Sequence, residues 1–160
     1  MPNPYRRPDW DSYFLDIASL AASRSTCLSR KVGAVAVKGK RILATGYNGA
    51  VAGSPHCDEV GCLRKGSASG TNLHQCRAVH GETNVVAQAA RYGTSLDGAT
   101  VYVTCQPCAN CFKMLAQAGV VRIVWKESYP DCLMAQLAKE CGWNMCENEA
   151  YKGEMHDERV

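Results

Sequence analysis

The order of its apolar runs limits this chain more than any other feature. "VGAVAV" (32–37) and "RILATGYN" (41–48) are short and rich in β-favouring residues, with the turn-like "KGK" between them, and they predict a hairpin. Upstream, "DWDSYFLDIASLAASRS" spaces Trp10, Phe14, Ile17 and Ala21 three or four apart. That is the stripe of an amphipathic helix, which Asp9 or Asp11 is placed to cap. Downstream, "GETNVVAQAARYG" predicts a helix ending near Gly93, "ATVYVT" a buried strand and "ANCFKMLAQAG" a helix stopped by Gly119. "VVRIVW" then predicts another strand and "DCLMAQLAKECG" a last helix. Strands alternating with helices after a hairpin imply a mixed sheet covered on both faces, so the expectation is a three-layer α/β/α architecture. A chain of 160 residues buries a substantial core as one domain, 1–160, whose 131–160 tail ends in the polar, fraying "EMHDERV".

Between hairpin and second helix, residues 49–79 change texture to Gly, Ser, Cys and His, too long for a structureless loop in a compact domain. Such an insertion needs an internal staple. The N-terminal "MPNPYRRPDW" has no apolar leader, and no stretch approaches the roughly eighteen apolar residues of a membrane span, which reads as a cytoplasmic protein. In a reducing compartment ten cysteines point to metal ligation or thiol chemistry rather than disulfides. Eighteen Lys+Arg against 15 Asp+Glu leave a charge of +3, with the cations scattered. That pattern argues against a nucleic-acid partner, although local cations can still hold a phosphate.

Two short motifs carry chemistry. "PCANC" puts Cys108 and Cys111 on one side of a first helical turn, with Pro107 suited to the helix entry. Alone, the pair reads as zinc ligands, a redox couple or small core residues. "HGETN" places His80 at the start of one predicted helix, as the cysteines start the next, with a strand between them. In such a unit both helix starts emerge at one end of the sheet, so one His and two Cys can converge. Three protein ligands leave a zinc ion one open position, the arrangement of a catalytic site. Glu82, two residues past His80, is placed to act as proton shuttle without binding metal. The plain alternative is that Glu82 only favours the helix dipole and His80 is an ordinary polar residue.

H-x-E followed by P-C-x-x-C is the signature of the zinc-dependent nucleobase deaminases. The chain resembles that superfamily, and within it the deoxycytidylate (dCMP) deaminases. The resemblance runs through "WDSYFLDIASLAASRSTC", "VGAVAV", "GYNGAVAG", "HCDEVGC", "CRAVHGETN", "GATVYVTCQPCANC" and "QAGV", up to about Tyr129. It implies a cytidine-deaminase-like fold and hydrolysis of dCMP to dUMP and ammonia. His80, Cys108 and Cys111 would hold the catalytic Zn2+, and Glu82 would protonate N3 as water attacks C4. Asn48 matches a position expected to contact the deoxyribose, and Ser25 and Tyr129 match positions near the substrate phosphate. Arg24 and Arg30 are weaker phosphate candidates. One departure is Gly81, where the family usually has Ala; it touches neither ligand nor base, so the chemistry is expected to survive.

The resemblance further implies a second, structural Zn2+ in the 49–79 insertion, for which Cys27, Cys57, His74 and Cys76 are the chosen ligands and Cys62 the substitute. His56 belongs to the same cluster. Cys105, Cys132, Cys141 and Cys146 are left as core or surface thiols. Regulation is implied as well: dCTP activating and dTTP inhibiting, with Mg2+ accompanying a triphosphate effector. Gly46, Tyr47 and Gly49 in the glycine-rich "GYNGAVAG" are the effector-binding candidates. A homohexamer is implied, with Arg91 a candidate at a subunit contact. Alternative readings are a deaminase of a free base, a nucleoside or a tRNA adenosine, or a zinc-stapled binding module without turnover.

Overall fold

The computed structural model describes residues 6–129, 131–143 and 145–147, the last three by their backbone. The polar "EMHDERV" end and the Cys146 side chain lie outside the described residues. Helix α1 (Trp10–Ala22) begins where the sequence places it, the Asp9 carboxylate accepting the Ser12 N–H at 2.9 Å. The hairpin follows as β1 (Gly33–Lys38) and β2 (Arg41–Tyr47). Its two-residue turn puts Gly39 and Lys40 both at positive φ, 55° and 63°, the twist a tight hairpin needs.

The five-stranded sheet runs β2-β1-β5-β6-β7, where β5 is Thr100–Cys105, β6 is Arg122–Glu127 and β7 is Met145–Glu147. Strand β1 is antiparallel to β2 and β5, whereas β5, β6 and β7 run parallel. The mixed sheet expected from the order of elements is therefore present. Its edge strand β7 was not foreseen, because three residues without an apolar alternation leave no strand signature.

Period-two alternation divides the central strands between two cores. Ala34, Ala36, Val101, Val103, Ile123 and Trp125 face one side, with Val85 and Ala89 of α3 (Gly81–Arg91), Phe112 and Leu115 of α4 (Ala109–Gln117) and Met134 and Ala138 of α5 (Cys132–Glu140). Val35, Val37, Tyr102 and Val124 face the other, under Phe14, Leu15 and Ala18 of α1. Both faces of each strand are buried, so the runs read as continuously apolar. At Gly33 a Cβ would run into the Ala18 carbonyl and the Ala22 nitrogen, so the bare Cα lets α1 lie directly on β1.

The 49–79 insertion is more ordered than its composition suggests. Strands β3 (Gly49–Ala50) and β4 (Ala78–Val79) pair antiparallel and close its base. Helix α2 (Cys57–Val60) and a 3-10 turn at Leu73–Gln75 lie between them. Elements of two to four residues fall below the window in which periodicity can be read, which is why the segment looks like loop from sequence.

A polar clamp ties α1 to the sheet. Arg122 donates to both Asp11 carboxylate oxygens, Nη1 at 2.9 Å and Nη2 at 2.6 Å, and the Tyr102 hydroxyl donates to the same carboxylate at 2.8 Å. These bonds, those from Arg122 first, hold the Asp11 carboxyl below its ordinary 3.8, while burial and Asp11 push Tyr102 up to about 12. Because the pair is about a third exposed, Asp11→Asn is expected to cost only about 1–2 kcal/mol at neutral pH by urea unfolding. The folded state favours ionised Asp11, so its contribution is complete above the unfolded value and fades as pH falls through the lower folded one. The wild-type advantage over Asp11→Asn should therefore shrink below about pH 4.

Candidate active site

Two helix starts build the site. His80 is the N-cap of α3 and Cys108 the N-cap of α4, both with extended backbone (φ −65°, ψ 153° and φ −73°, ψ 166°). Cap positions aim side chains across the helix end rather than along its barrel. Cys111, one turn into α4, completes the group. His80 Nδ1 lies 3.4 Å from Cys111 Sγ and 3.8 Å from Cys108 Sγ. Among the described residues this is the one His/Cys/Asp/Glu trio whose donor atoms all lie within 4.8 Å of one another.

The donor set fits zinc. Bond lengths of about 2.3 Å to sulfur and about 2.0 Å to nitrogen put the donors of a tetrahedral ion roughly 3.5–3.8 Å apart, close to the separations found. The two thiols are shifted in opposite directions. Hydrogen bonds from Cys111 and then His80 bring the Cys108 thiol down to about 4, whereas donation to Cys108 and burial push Cys111 far up. The His80 imidazole is raised, first by its bond to Cys108. A divalent cation would take over the role of these protons, and both sulfurs would ligate as thiolates.

Glu82 is 4% exposed and opens the first turn of α3, beside the trio and outside it. Burial is the main cause that raises its carboxyl above the ordinary range. Together with His80 and Cys108 it lines a cavity of about 350 Å3. A buried carboxyl of raised proton affinity next to a metal's open position is suited to carrying a proton between water and a leaving group.

The other expected site residues separate into wall and support. Asn48, Arg30 and Tyr129 line the cavity. Asn48 is held from behind: Oδ1 accepts the Val32 N–H at 2.8 Å and Nδ2 donates to the Arg30 carbonyl at 2.8 Å. Ser25, expected near the phosphate, is 3% exposed and stands off the cavity wall. Its hydroxyl donates to the Asn48 carbonyl at 2.7 Å, which makes it a brace for Asn48. Arg24 is exposed and also off the wall.

"GYNGAVAG" is strand over four of its residues, Gly46 and Tyr47 ending β2 and Gly49 and Ala50 forming β3, and turns only after Val51. A Cβ at Gly46 would strike the Gly81 carbonyl and come within 2.7 Å of the Val85 nitrogen, so this glycine admits the start of α3. Asn84 reinforces that contact by donating to the Tyr47 carbonyl at 2.7 Å. At Gly81 a Cβ would stand 3.3 Å from the Val32 carbonyl, tight but without overlap, so the departure from Ala leaves the helix start in place.

The insertion's cysteines gather about Cys57, whose thiol is raised first by burial and then by Cys27, Cys62 and Cys76. None of these residues, nor His74, reaches the mutual spacing of the His80 trio. His56 shares a 3.1 Å bond with Thr26. Cys132 and Cys141 are exposed.

Four residues on or behind the wall were missed. Cys105 is buried on the cavity and accepts from Arg30 Nη1 at 3.0 Å; Gln106 and Arg64 also face the cavity. Asp131 caps two helices at once, taking the Met134 N–H at the start of α5 and the Ala109 N–H at the start of α4, each at 2.9 Å. The signal for Cys105 and Gln106 was their place between a strand end and the P-C-x-x-C helix start, where sheet ligands gather. Asp131 and Arg64 carried no comparable signal, since each acts across a distance that only folding sets.

Known proteins agree with this geometry. The family model for the cytidine and deoxycytidylate deaminase zinc-binding region matches residues 8–127. The deoxycytidylate deaminase of Schizosaccharomyces pombe is 45% identical over 144 residues, covering 88% of this chain and 44% of that protein. That of Mycobacterium phage D29 is 45% identical over 128 residues, 76% of this chain and 98% of that one. The chain thus spans less than half the length of the yeast relative and nearly all of the phage one. The crystal structure of the dCMP deaminase from cyanophage S-TIM5 in complex with dCMP and dUMP shares the fold with a TM-score of 0.74 at 29% identity, over 89% of this chain and 99% of that one. With its zinc-fitting His80, Cys108 and Cys111 inside the matched region, the chain belongs to the cytidine and deoxycytidylate deaminase zinc-binding family.

Proposed function

We propose that the protein hydrolyses dCMP to dUMP and ammonia. The observation that carries this reading is buried Glu82 beside the His80, Cys108 and Cys111 trio, in a cavity whose wall also holds Arg30 and Arg64. Held by the trio, Zn2+ would supply water activated for attack at neutral pH. Glu82 takes the proton that water gives up and delivers it to N3 as the C4–O bond forms, then carries the proton of the new C4 hydroxyl to the amino group, which leaves as ammonia when the C4–N bond breaks. Asn48 spends its oxygen and one N–H on the backbone of Arg30 and Val32, which leaves its second N–H for a sugar hydroxyl. Two guanidinium groups on one wall suit the phosphate that distinguishes dCMP from deoxycytidine.

The test is the ratio of kcat/KM for dCMP and deoxycytidine. It is expected to exceed about 100, because a substrate without the phosphate leaves its binding groups unpaired. Equal values would remove the phosphate from the reading. The same assay with dCTP and dTTP tests regulation: dCTP should activate and dTTP inhibit, each by favouring one state of an oligomer, with Mg2+ accompanying the triphosphate. We place the protein in the cytoplasm as a single-domain homohexamer with Arg91, exposed at the end of α3, at a subunit contact.

A second, structural Zn2+ in the insertion is part of the same proposal. Its ligands would come from Cys27, Cys57, His74 and Cys76, with Cys62 as the substitute. Cys57→Ser should remove about one zinc of two per chain and lower Tm by several degrees, leaving the zinc of the His80 site bound. One zinc per chain in fully loaded wild type would exclude the second site.

A further inference from the structure

Cys105 ends β5 and Gln106 follows it before Pro107, on the same stretch that delivers Cys108 to the metal site. Neither is a metal ligand and neither is needed for the proton transfers, yet both residues line the cavity. Each holds one group of the cavity's wall. Cys105 Sγ accepts from Arg30 Nη1 at 3.0 Å. Gln106 Oε1 accepts the backbone N–H of Tyr129 at 3.2 Å, and the Gln106 N–H donates to the Glu127 carbonyl at 2.8 Å. Gln106 therefore binds the last residue of β6 by its backbone and the segment after β6 by its side chain.

Tyr129 has little freedom beyond that hold. Its hydroxyl sits against Gly70, where a Cβ would overlap it and come within 3.2 Å of Cζ. Gly70 itself has a φ of +77°, so both space and backbone conformation ask for glycine there. Tyr129 is thus held by its backbone N–H on Gln106, on the metal-ligand stretch, and its hydroxyl abuts Gly70 in the 49–79 insertion, at the cavity wall. A strand-end carboxamide that fixes a neighbouring segment also fixes the separation between that segment and the metal ligands. For a nucleotide substrate this separation runs from the reacting base carbon to the phosphate.

We propose that Gln106 is a positioning residue that sets substrate specificity: it holds Tyr129 where the phosphate end of the substrate must lie relative to His80, Cys108 and Cys111. Cys105 makes the parallel hold on Arg30. The inference rests on the reading of dCMP as substrate. It assigns Gln106 to binding of the phosphorylated end, leaving base chemistry to Glu82.

The experiment compares wild type, Gln106→Met, Tyr129→Phe and the double variant, with kcat and KM for dCMP and kcat/KM for deoxycytidine. Methionine keeps the length and removes the acceptor for the Tyr129 N–H. Gln106→Asn, too short to reach it, serves in its place if the methionine protein does not fold. The Gln106 variant should raise KM for dCMP about fivefold, the worth of one ordinary hydrogen bond, with kcat within about twofold and zinc content unchanged. Its kcat/KM for deoxycytidine should not move. In the Tyr129→Phe background the same change should add little, because a residue that acts through Tyr129 loses its effect when the hydroxyl is gone. A fall in kcat at constant KM, an equal loss on both substrates, or full additivity with Tyr129→Phe would each overturn the assignment. Wild type alone tests the parent reading: if it turns over both substrates equally, the phosphate reading fails first and takes this role for Gln106 with it.

Discussion

Glu82→Gln is expected to give a folded, zinc-loaded protein whose turnover of dCMP is lower by at least about 10³-fold, within the range general acid–base groups contribute. The amide keeps the size and polarity of the carboxyl but can neither accept water's proton nor pass one to N3. Fold should be spared for a second reason: burial already disfavours the charged carboxylate, so a neutral isostere sits at least as comfortably at this 4% exposed position. The measurement pairs kcat on dCMP with metal analysis and a melting curve. Zinc lost together with activity would make Glu82 a ligand. Turnover near the wild-type rate would take it out of the reaction.

Cys108→Ala should remove the catalytic zinc itself. Two remaining ligands, His80 and Cys111, cannot hold the ion against water as three do, so zinc content should fall by about one ion per chain and activity by at least about 10³-fold. Chelator-treated wild type should show the same loss and recover on adding Zn2+. This outcome is the mirror image of Cys57→Ser, which should cost metal and Tm but spare the His80 site. If Cys108→Ala keeps full metal and rate, the trio is not the metal site. The fold itself should survive, because the start of α4 is also secured by Asp131 on the Ala109 N–H.

The parts of the site that could be read in advance are those in which a spacing carries the chemistry. His80 and Glu82 share one helix start, and Cys108 and Cys111 share another. Once the strand between them was recognised, the crossover rule placed both starts at one end of the sheet. The 3.4 Å and 3.8 Å separations of His80 Nδ1 from the two sulfurs follow from that topology. Ser25 and "GYNGAVAG" could not be read in this way. A buried serine and a surface serine are the same letter, and the room that Gly46 leaves for the start of α3 is set by what stands opposite it.

Local sequence determined the strands and long helices, because period-two and period-3.6 patterns are written within a dozen residues, and it determined the metal trio for the same reason. Tertiary structure decided what depends on contacts between distant segments. Asp131 came to cap the helix that bears Cys111, from 22 positions beyond Ala109. Arg122 came to clamp Asp11 across 111 positions. Gln106 came to hold Tyr129 across 23. No local pattern encodes such pairs: a single hydrogen bond is far too weak to impose a chain path, and it forms only after the burial of apolar surface on both faces of the sheet has brought its partners together.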